Sequence, residues 1–231
     1  MPTWWLIGGA AILVSAMMAA HRARRPLLLL TLECSLYVWL LRRVVPRVRF
    51  SLCYPHFTGR QFHAGHAALR AGDILLSRDS RKLSTYLIPG TFPHAAVCVG
   101  SRLDGTAAAM PDGRVGEVVE AVAGGVRLVD FFDFCHESDR VVILRVPAWD
   151  PEYVAERIVP AALSLLDRPY DLLFRPGPRS VYCSELPLLC DPERRLRPRG
   201  HRFPVTGWRY VLADDWLAPP GGRIVWDSDL A

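Results

Sequence analysis

Two apolar segments dominate the amino-terminal part of the chain and need burial away from water. Residues 4–20, WWLIGGAAILVSAMMAA, carry no charge, and their length is close to the lower limit for a transmembrane helix. Trp4 and Trp5 stand where an aromatic belt would place them. A cleaved signal peptide ending near residues 19–21 is the alternative, although no positive charge precedes Trp4.

The second apolar segment, residues 27–41, contains one acidic residue, Glu33. As a helix it would reach about 22 Å, short of a hydrocarbon core of about 30 Å, so it fits either a second span or a helix lying at the interface. We therefore predict a membrane anchor and linker in residues 1–65 and a soluble domain in residues 66–231. The location would be a bacterial-type cell membrane, crossed once or twice. Arginines follow both segments, so the positive-inside rule leaves the side of the domain open.

The net charge of +5 comes almost entirely from arginine, because Lys82 is the only lysine. Arginines flank the apolar segments, which indicates contact with membrane lipid. No nucleic-acid-binding motif accompanies them, so a nucleic-acid partner is not expected. A second group of arginines alternates with prolines in residues 194–202. It fits either a solvated loop or a contact with an anionic lipid or phosphate.

The soluble part alternates short apolar runs with turn residues. Strands are predicted within residues 71–77, 93–100, 117–122, 126–129 and 140–146. Helices are predicted at residues 151–166, where Asp150 is an N-cap and Pro151 the first helical residue, and at residues 182–189. Strands in the middle with helices around them indicate an α+β domain.

Cys183 is the candidate nucleophile of the chain. Proline is tolerated in the first turn of a helix, so Pro187 places a helix start near Cys183, where the helix dipole would lower the thiol pKa. His94 opens an apolar strand and is the candidate base. Glu120 lies in an apolar strand, where a carboxylate needs a partner, and it would orient a histidine. Alone, each residue is better explained as a buried structural group; together they indicate catalysis.

The order of these motifs resembles that of the permuted papain-like amidases of the YaeF/YiiX kind, relatives of the NlpC-type cell-wall peptidases and of lecithin:retinol acyltransferase. In that family a Gly-Asp strand is followed by a His-Ala strand, a strand with Glu-Ala and, much later, a helix that starts with Tyr-Cys-Ser-Glu-Leu. The corresponding residues here are 72–75, 94–97, 120–122 and 182–186, and Arg-Pro-Tyr-Asp at 168–171 also matches. The resemblance covers about residues 70–215. It implies a circularly permuted papain-like (NlpC-type) domain, with an antiparallel sheet packed on helices.

The resemblance also assigns roles to individual residues. Cys183 would be the nucleophile, His94 the base and Glu120 the residue that orients the base. The spacing between His94 and Glu120 is long, so Glu117 is an alternative for the third role. Tyr182 would help to polarise the acyl oxygen, beside the backbone N–H of Cys183.

We therefore predict a membrane-anchored cysteine hydrolase that cleaves an amide or ester bond through an acyl-enzyme on Cys183. Its substrate would be a small molecule, a peptide, an N-acyl amino acid or a lipid. Two alternatives remain: a lipid acyltransferase on the same scaffold, and a non-catalytic membrane-tethered binding domain. No cofactor is implied, and neither Cys135-His136 nor Cys190 with His201 has the spacing of a metal site.

Overall fold

The computed structural model describes Trp39 and residues 57–110, 112–172, 174, 179–202, 209–218 and 221–230. The chain divides into two compact units, Met1–Val48 and Arg49–Ala231, and the second contains every element described below. Apart from Trp39, the two apolar segments predicted as membrane helices lie outside the described residues. Among the residues that are described, no helix is long and apolar enough to cross a bilayer.

A six-stranded antiparallel sheet forms the centre of the second unit. In chain order the strands are β1 (Ile74–Arg78), β2 (His94–Cys98), β3 (Ala108–Ala109), β4 (Val115–Gly116), β5 (Val118–Val122), β6 (Gly125–Val129), β7 (Arg140–Arg145), β8 (His201–Arg202), β9 (Arg209–Tyr210) and β10 (Arg223–Asp227). The large sheet has the order β10-β7-β1-β2-β5-β6, while β3-β4 and β8-β9 form two short hairpins. The predicted α+β class with an antiparallel sheet is confirmed, and all five predicted strands are present.

The helices pack around this sheet. They are α1 (Gly59–Ala68), α2 (Leu83–Leu87), α3 (Phe131–His136), α4 and α5 (Leu186–Cys190). Helix α4 consists of Pro151–Tyr153, a π-helical stretch Val154–Ile158, and Val159–Ser164, and its N-cap Asp150 accepts the N–H of Tyr153. The described residues also include two 3-10 turns: Cys183–Glu185, which leads directly into α5, and Ala213–Trp216, which precedes β10. Both predicted helices are therefore present.

Each face of the sheet carries an apolar layer, because successive side chains along a strand point to opposite faces. On one face, side chains such as Ile74 and Val97 pack with α4, α5 and Trp216. On the opposite face, Leu75 and its neighbours pack with Phe131 and the rest of α3. Strand β2 therefore lies between a layer that contains α5 and a layer that contains α3.

Helix α1 belongs to the same packed unit. It begins behind a capping box at Thr58. Phe62 contacts two aromatic rings of α3, each with ring centroids 5.7 Å away. His66 donates from Nε2 to Oε1 of Glu117 over 2.6 Å. The domain boundary predicted between residues 65 and 66 falls inside this helix.

Gly72 and Asp73 fix the start of β1. Gly72 has a φ of 84°, and a Cβ at this position would lie 2.6 Å from Cγ2 of Val154 in α4, so the turn requires glycine. The buried carboxylate of Asp73 accepts two hydrogen bonds from Arg145 of β7, at 2.9 and 2.8 Å, and one from the N–H of Arg70 at 2.9 Å. The Gly-Asp motif therefore joins β1 to α4 and β7, which is a structural role.

Candidate active site

Cys183 is the first residue of the 3-10 turn that leads into α5. Pro187 lies in the first turn of α5, as its ring requires. The side chain of Cys183 is buried. Its Sγ lies 3.6 Å from the carbonyl oxygen of Pro93, which precedes β2, and 3.8 Å from Oγ of Ser184. The helix start therefore presents the sulfur to the beginning of β2.

His94 is the first residue of β2 and directly follows Pro93, whose carbonyl oxygen faces the thiol. The backbone that leads to it is held by Asp214, whose carboxylate accepts the N–H groups of Thr91 at 2.6 Å and Phe92 at 2.8 Å. The imidazole donates from Nε2 to Oε2 of Glu120 over 2.7 Å, and it lies close enough to Cys183 for its charge to lower the pKa of the thiol. Because Nε2 is engaged by the carboxylate, Nδ1 is the ring nitrogen left for the sulfur.

Strand register explains why Glu120 meets the histidine. Ala96 of β2 pairs directly with Glu120 of β5, so His94, two residues earlier, is a diagonal neighbour on the same face. Glu120 also pairs directly with Arg127 of β6. The guanidinium Nη2 lies 2.7 Å from Oε1 of the carboxylate.

Glu117, the alternative for the third position, lies in a different group. Its carboxylate binds His66 at 2.6 Å and accepts the N–H groups of Arg102 at 2.6 Å and Phe131 at 3.1 Å. Of the two glutamates, Glu120 is therefore the one beside His94. The long spacing in sequence is explained by the β3–β4 hairpin, which is inserted between β2 and β5.

Tyr170 occupies the position beside the sulfur that the sequence assigns to Tyr182. The hydroxyl of Tyr182 accepts the N–H of Val211 over 3.1 Å, and its ring packs edge-on against Phe174. The hydroxyl of Tyr170 instead donates toward Sγ of Cys183 over 3.8 Å. Tertiary packing therefore brings the hydroxyl of Tyr170 to the thiol and directs that of Tyr182 to Val211, and acyl-oxygen polarisation by Tyr182 stays a prediction from the sequence.

The charges of the three central residues favour an ion pair. Burial by itself raises the pKa of Cys183, but the hydrogen bond and charge of His94 outweigh it and bring the pKa to about 7. Burial lowers the pKa of His94, yet its bonds to Cys183 and Glu120 raise it to about 9. Burial raises the pKa of Glu120, and the contacts with His94 and Arg127 overcome this and lower it to about 2. The arrangement therefore favours thiolate, imidazolium and carboxylate together near neutral pH.

Comparison with known proteins gives a family. The family described as "Permuted papain-like amidase enzyme, YaeF/YiiX, C92 family" matches residues 68–190, a segment that contains Cys183, His94 and Glu120. The chain belongs to this family. The resemblance noted from the motifs is thus confirmed, and the class implied is an amidase or peptidase-like hydrolase. No curated protein sequence matches the chain.

A solved structure shares the fold. It is described as "Crystal structure of metalloprotein yiiX from Escherichia coli O157:H7, DUF1105", with a TM-score of 0.52 and 18% sequence identity, and the match covers 68% of this chain and 96% of that one. At this identity the likeness concerns the fold alone. In the part of this chain that the structure describes, no group of three or more His, Cys, Asp or Glu side chains has an arrangement suited to a metal ion.

The other described cysteines of this family member behave differently from Cys183. Cys98, Cys135 and Cys190 are also free and buried. Burial raises the pKa of each of these three thiols. Among the described cysteines, the lowered thiol pKa therefore belongs to Cys183, which has a histidine beside it.

Replacing Tyr170 with phenylalanine should weaken the reactivity of the thiol while preserving the fold. The variant loses the O–H that donates toward Sγ, so we expect a roughly tenfold lower turnover and a small upward shift in the thiol pKa. Tyr182→Phe is the matched control. It leaves the N–H of Val211 without its acceptor and should cost about 1–3 kcal/mol of stability. Alkylation rates measure the reactivity of the thiol, and urea unfolding measures the stability of each variant. If the thiol became unreactive in Tyr182→Phe but not in Tyr170→Phe, Tyr182 would be the tyrosine that supports the thiol.

Proposed function

We propose that this protein is a cysteine amidase that cleaves an amide or ester bond through an acyl-enzyme on Cys183. The observation that carries the proposal is the group formed by Cys183, His94 and Glu120, in which His94 binds Glu120 at 2.7 Å and the thiol pKa is lowered to about 7. Membership of the permuted papain-like amidase family supports the same reaction class. The pattern of nucleophile, base and orienting carboxylate is the one that acyl transfer needs.

The first step would form the acyl-enzyme. The thiolate of Cys183 attacks the acyl carbon, and the negative charge that develops on the acyl oxygen is stabilised by hydrogen-bond donors near the sulfur, to which Tyr170 belongs. The bond from the acyl carbon to the leaving nitrogen or oxygen then breaks. The proton on Nδ1 of His94 passes to the leaving group, so an amine or alcohol departs neutral and a thioester remains on Sγ.

The second step would release the acyl group. His94, now neutral, takes a proton from a water molecule, and the water oxygen attacks the thioester carbon. Breakage of the carbon–sulfur bond releases a carboxylic acid and restores the thiolate and the imidazolium. Glu120 keeps its charge throughout, and its bond to Nε2 holds the ring in the tautomer that presents Nδ1 to the sulfur.

Acyl-enzyme trapping tests this proposal. Protein mixed with p-nitrophenyl butyrate and quenched in acid should gain the mass of one butyryl group, and peptide mapping should place it on Cys183. Cys183→Ala should lose the adduct, and Cys190→Ala, which removes a thiol with a raised pKa, should keep it. A binding domain would give no adduct on Cys183. An acyltransferase would form the adduct and pass it to an added acceptor in preference to water.

We also propose that the protein acts at a membrane surface, with membrane lipid as a partner. The support is in the sequence, where two apolar segments within residues 4–41 are followed by arginines. An acyl substrate embedded in, or close to, the lipid surface would then be within reach. A competition experiment chooses between a small-molecule, peptide, N-acyl amino acid and lipid substrate. Each compound is added with p-nitrophenyl butyrate, and the substrate class is the one that most reduces the butyryl adduct on Cys183.

A further inference from the structure

Arg127 binds the oxygen of Glu120 that His94 does not use. The guanidinium approaches Oε1 with Nη2 at 2.7 Å and Nε at 2.8 Å, while Oε2 accepts from His94 at 2.7 Å. The side chain of Glu120 is 5% exposed and that of Arg127 is 55% exposed. The carboxylate is therefore held between the imidazole of His94 on one oxygen and, on the other, the guanidinium of Arg127, more than half of which is exposed to solvent.

A tight turn fixes this arrangement. Val122 of β5 pairs with Gly125 of β6, which leaves a two-residue loop and brings Glu120 directly opposite Arg127. Gly125 has a φ of 120°, and a Cβ there would lie 2.8 Å from the carbonyl oxygen of Arg168. A one-residue slip would move Arg127 to the opposite face of the sheet. The glycine turn therefore keeps the guanidinium on the carboxylate.

The side chains of Cys183, His94, Glu120 and Arg127 together carry no net charge. The ionisable groups that act on His94 are Cys183 and Glu120, and those that act on Glu120 are His94 and Arg127. With a neutral thiol and imidazole, the charges of Glu120 and Arg127 cancel. After the proton moves from sulfur to imidazole, two positive and two negative charges are present, and the set is again neutral. Without Arg127, the buried carboxylate would draw an extra proton onto the imidazole.

We propose that Arg127 is a positioning residue that fixes the orientation of Glu120 and limits how strongly the carboxylate holds the proton on His94. The proposal rests on the proposed cysteine amidase function. In the first step the imidazolium gives its proton to the leaving group, and an imidazolium that is held too tightly does so slowly. Arg127 therefore favours the departure of poor leaving groups such as amines.

The direct test is an NMR titration of His94 in the full-length protein. The chain has seven histidines, and the Cε1–H signal of His94 is identified by its loss in His94→Ala. In the wild type its inflection is expected near pH 9, from the pKa of His94. Arg127→Gln keeps a hydrogen-bonding group but removes the charge. It should raise the inflection by about half a pH unit, a modest shift because the guanidinium is half exposed. Arg127→Lys should stay close to the wild type.

The sign of this shift is fixed by the state of Glu120. Its pKa is about 2, so it remains charged from pH 6 to 10 even if the loss of Arg127 raises that pKa. An unshifted or lowered His94 inflection in Arg127→Gln would overturn the proposal. A wild-type His94 that titrates at its ordinary value would overturn the proposed function as well, because no ion pair with Cys183 would then exist.

Kinetics provide a second readout that a merely structural role would not move. In Arg127→Gln, kcat for the amide butyryl p-nitroanilide should fall about threefold to tenfold, with little change in KM. The kcat for the ester p-nitrophenyl butyrate should fall less, because nitrophenolate leaves without a proton. Arg102→Gln is the matched control. It removes an exposed guanidinium that binds Asp130, and it should leave both substrates and the His94 titration unchanged. Equal losses on both substrates would count against the proposal.

Discussion

Replacing His94 with alanine should move the inflection of Cys183 alkylation from about pH 7 to above that of an ordinary thiol. In the wild type the pKa of Cys183 is about 7 because the bond and charge of His94 overcome burial. Without the imidazole, burial remains and disfavours the thiolate, and the contacts from Ser184 and the N–H of Ala95 are weaker causes acting the other way. Turnover should fall by about 10³-fold or more, because base and acid are both lost.

The measurement is the rate of iodoacetamide alkylation of Cys183 against pH, followed by peptide mass spectrometry. Wild-type turnover should rise through about pH 7 as the thiolate forms and fall through about pH 9 as His94 loses its proton. Because the two groups interact, these two apparent pKa values describe the Cys183–His94 pair and not either residue alone. Glu120→Gln is the control. It keeps an acceptor oxygen near Nε2 but loses the charge, so a residual rate should persist. Superimposable alkylation curves for wild type and His94→Ala would favour the binding-domain alternative.

Starting the chain at residue 66 should destabilise the domain severely, whereas starting it at residue 57 should not. The shorter fragment loses the first seven residues of α1, including Phe62, which packs on α3, and Gly65, which lies against the ring of Trp226. Loss of a packed aromatic side chain typically costs about 3–5 kcal/mol. This is a large part of the stability of a typical domain, about 5–15 kcal/mol.

Urea unfolding and size-exclusion chromatography of residues 57–231 and 66–231 check this expectation. The longer fragment should elute as a folded species without detergent, as the proposed anchor implies, and the shorter one should unfold early or aggregate. Phe62→Ala in the longer fragment is the control, since it removes the packing but keeps the chain length. Equal unfolding midpoints for the two fragments would mean that α1 adds nothing to the domain, and the sequence-predicted boundary would stand.

Local sequence patterns predict most of the sheet and the position of the nucleophile. The β-branched run at residues 140–146 is β7, and the Pro187 rule places the helix start at Cys183. The grouping of His94 and Glu120 with Cys183 is predicted by the order of four motifs and by none of these residues alone. This is physically reasonable, because a lone buried histidine or cysteine has the same local pattern whether it is catalytic or structural.

The elements that were missed depend on weak patterns or on distant contacts. Helix α1 contains two glycines and two histidines among its ten residues, which obscures its apolar face, although the Thr58–Gln61 capping box was a usable signal. The pairing of Glu120 with Arg127 could have been predicted from a two-residue hairpin loop. Tyr170 lies in the Arg-Pro-Tyr-Asp motif, but that motif gives no role to the tyrosine, because its contact with Cys183 depends on tertiary packing.

The two halves of the site lie far apart along the chain, since 90 residues separate Pro93 from Cys183. During synthesis the histidine strand is complete long before the cysteine leaves the ribosome, and a released peptide containing Cys183 would carry an ordinary thiol. Chemical reactivity at this cysteine is thus a property of the finished domain. Nascent or misfolded copies would react slowly with acyl compounds, and acylation mapped to Cys183 near neutral pH would report the amount of correctly assembled protein.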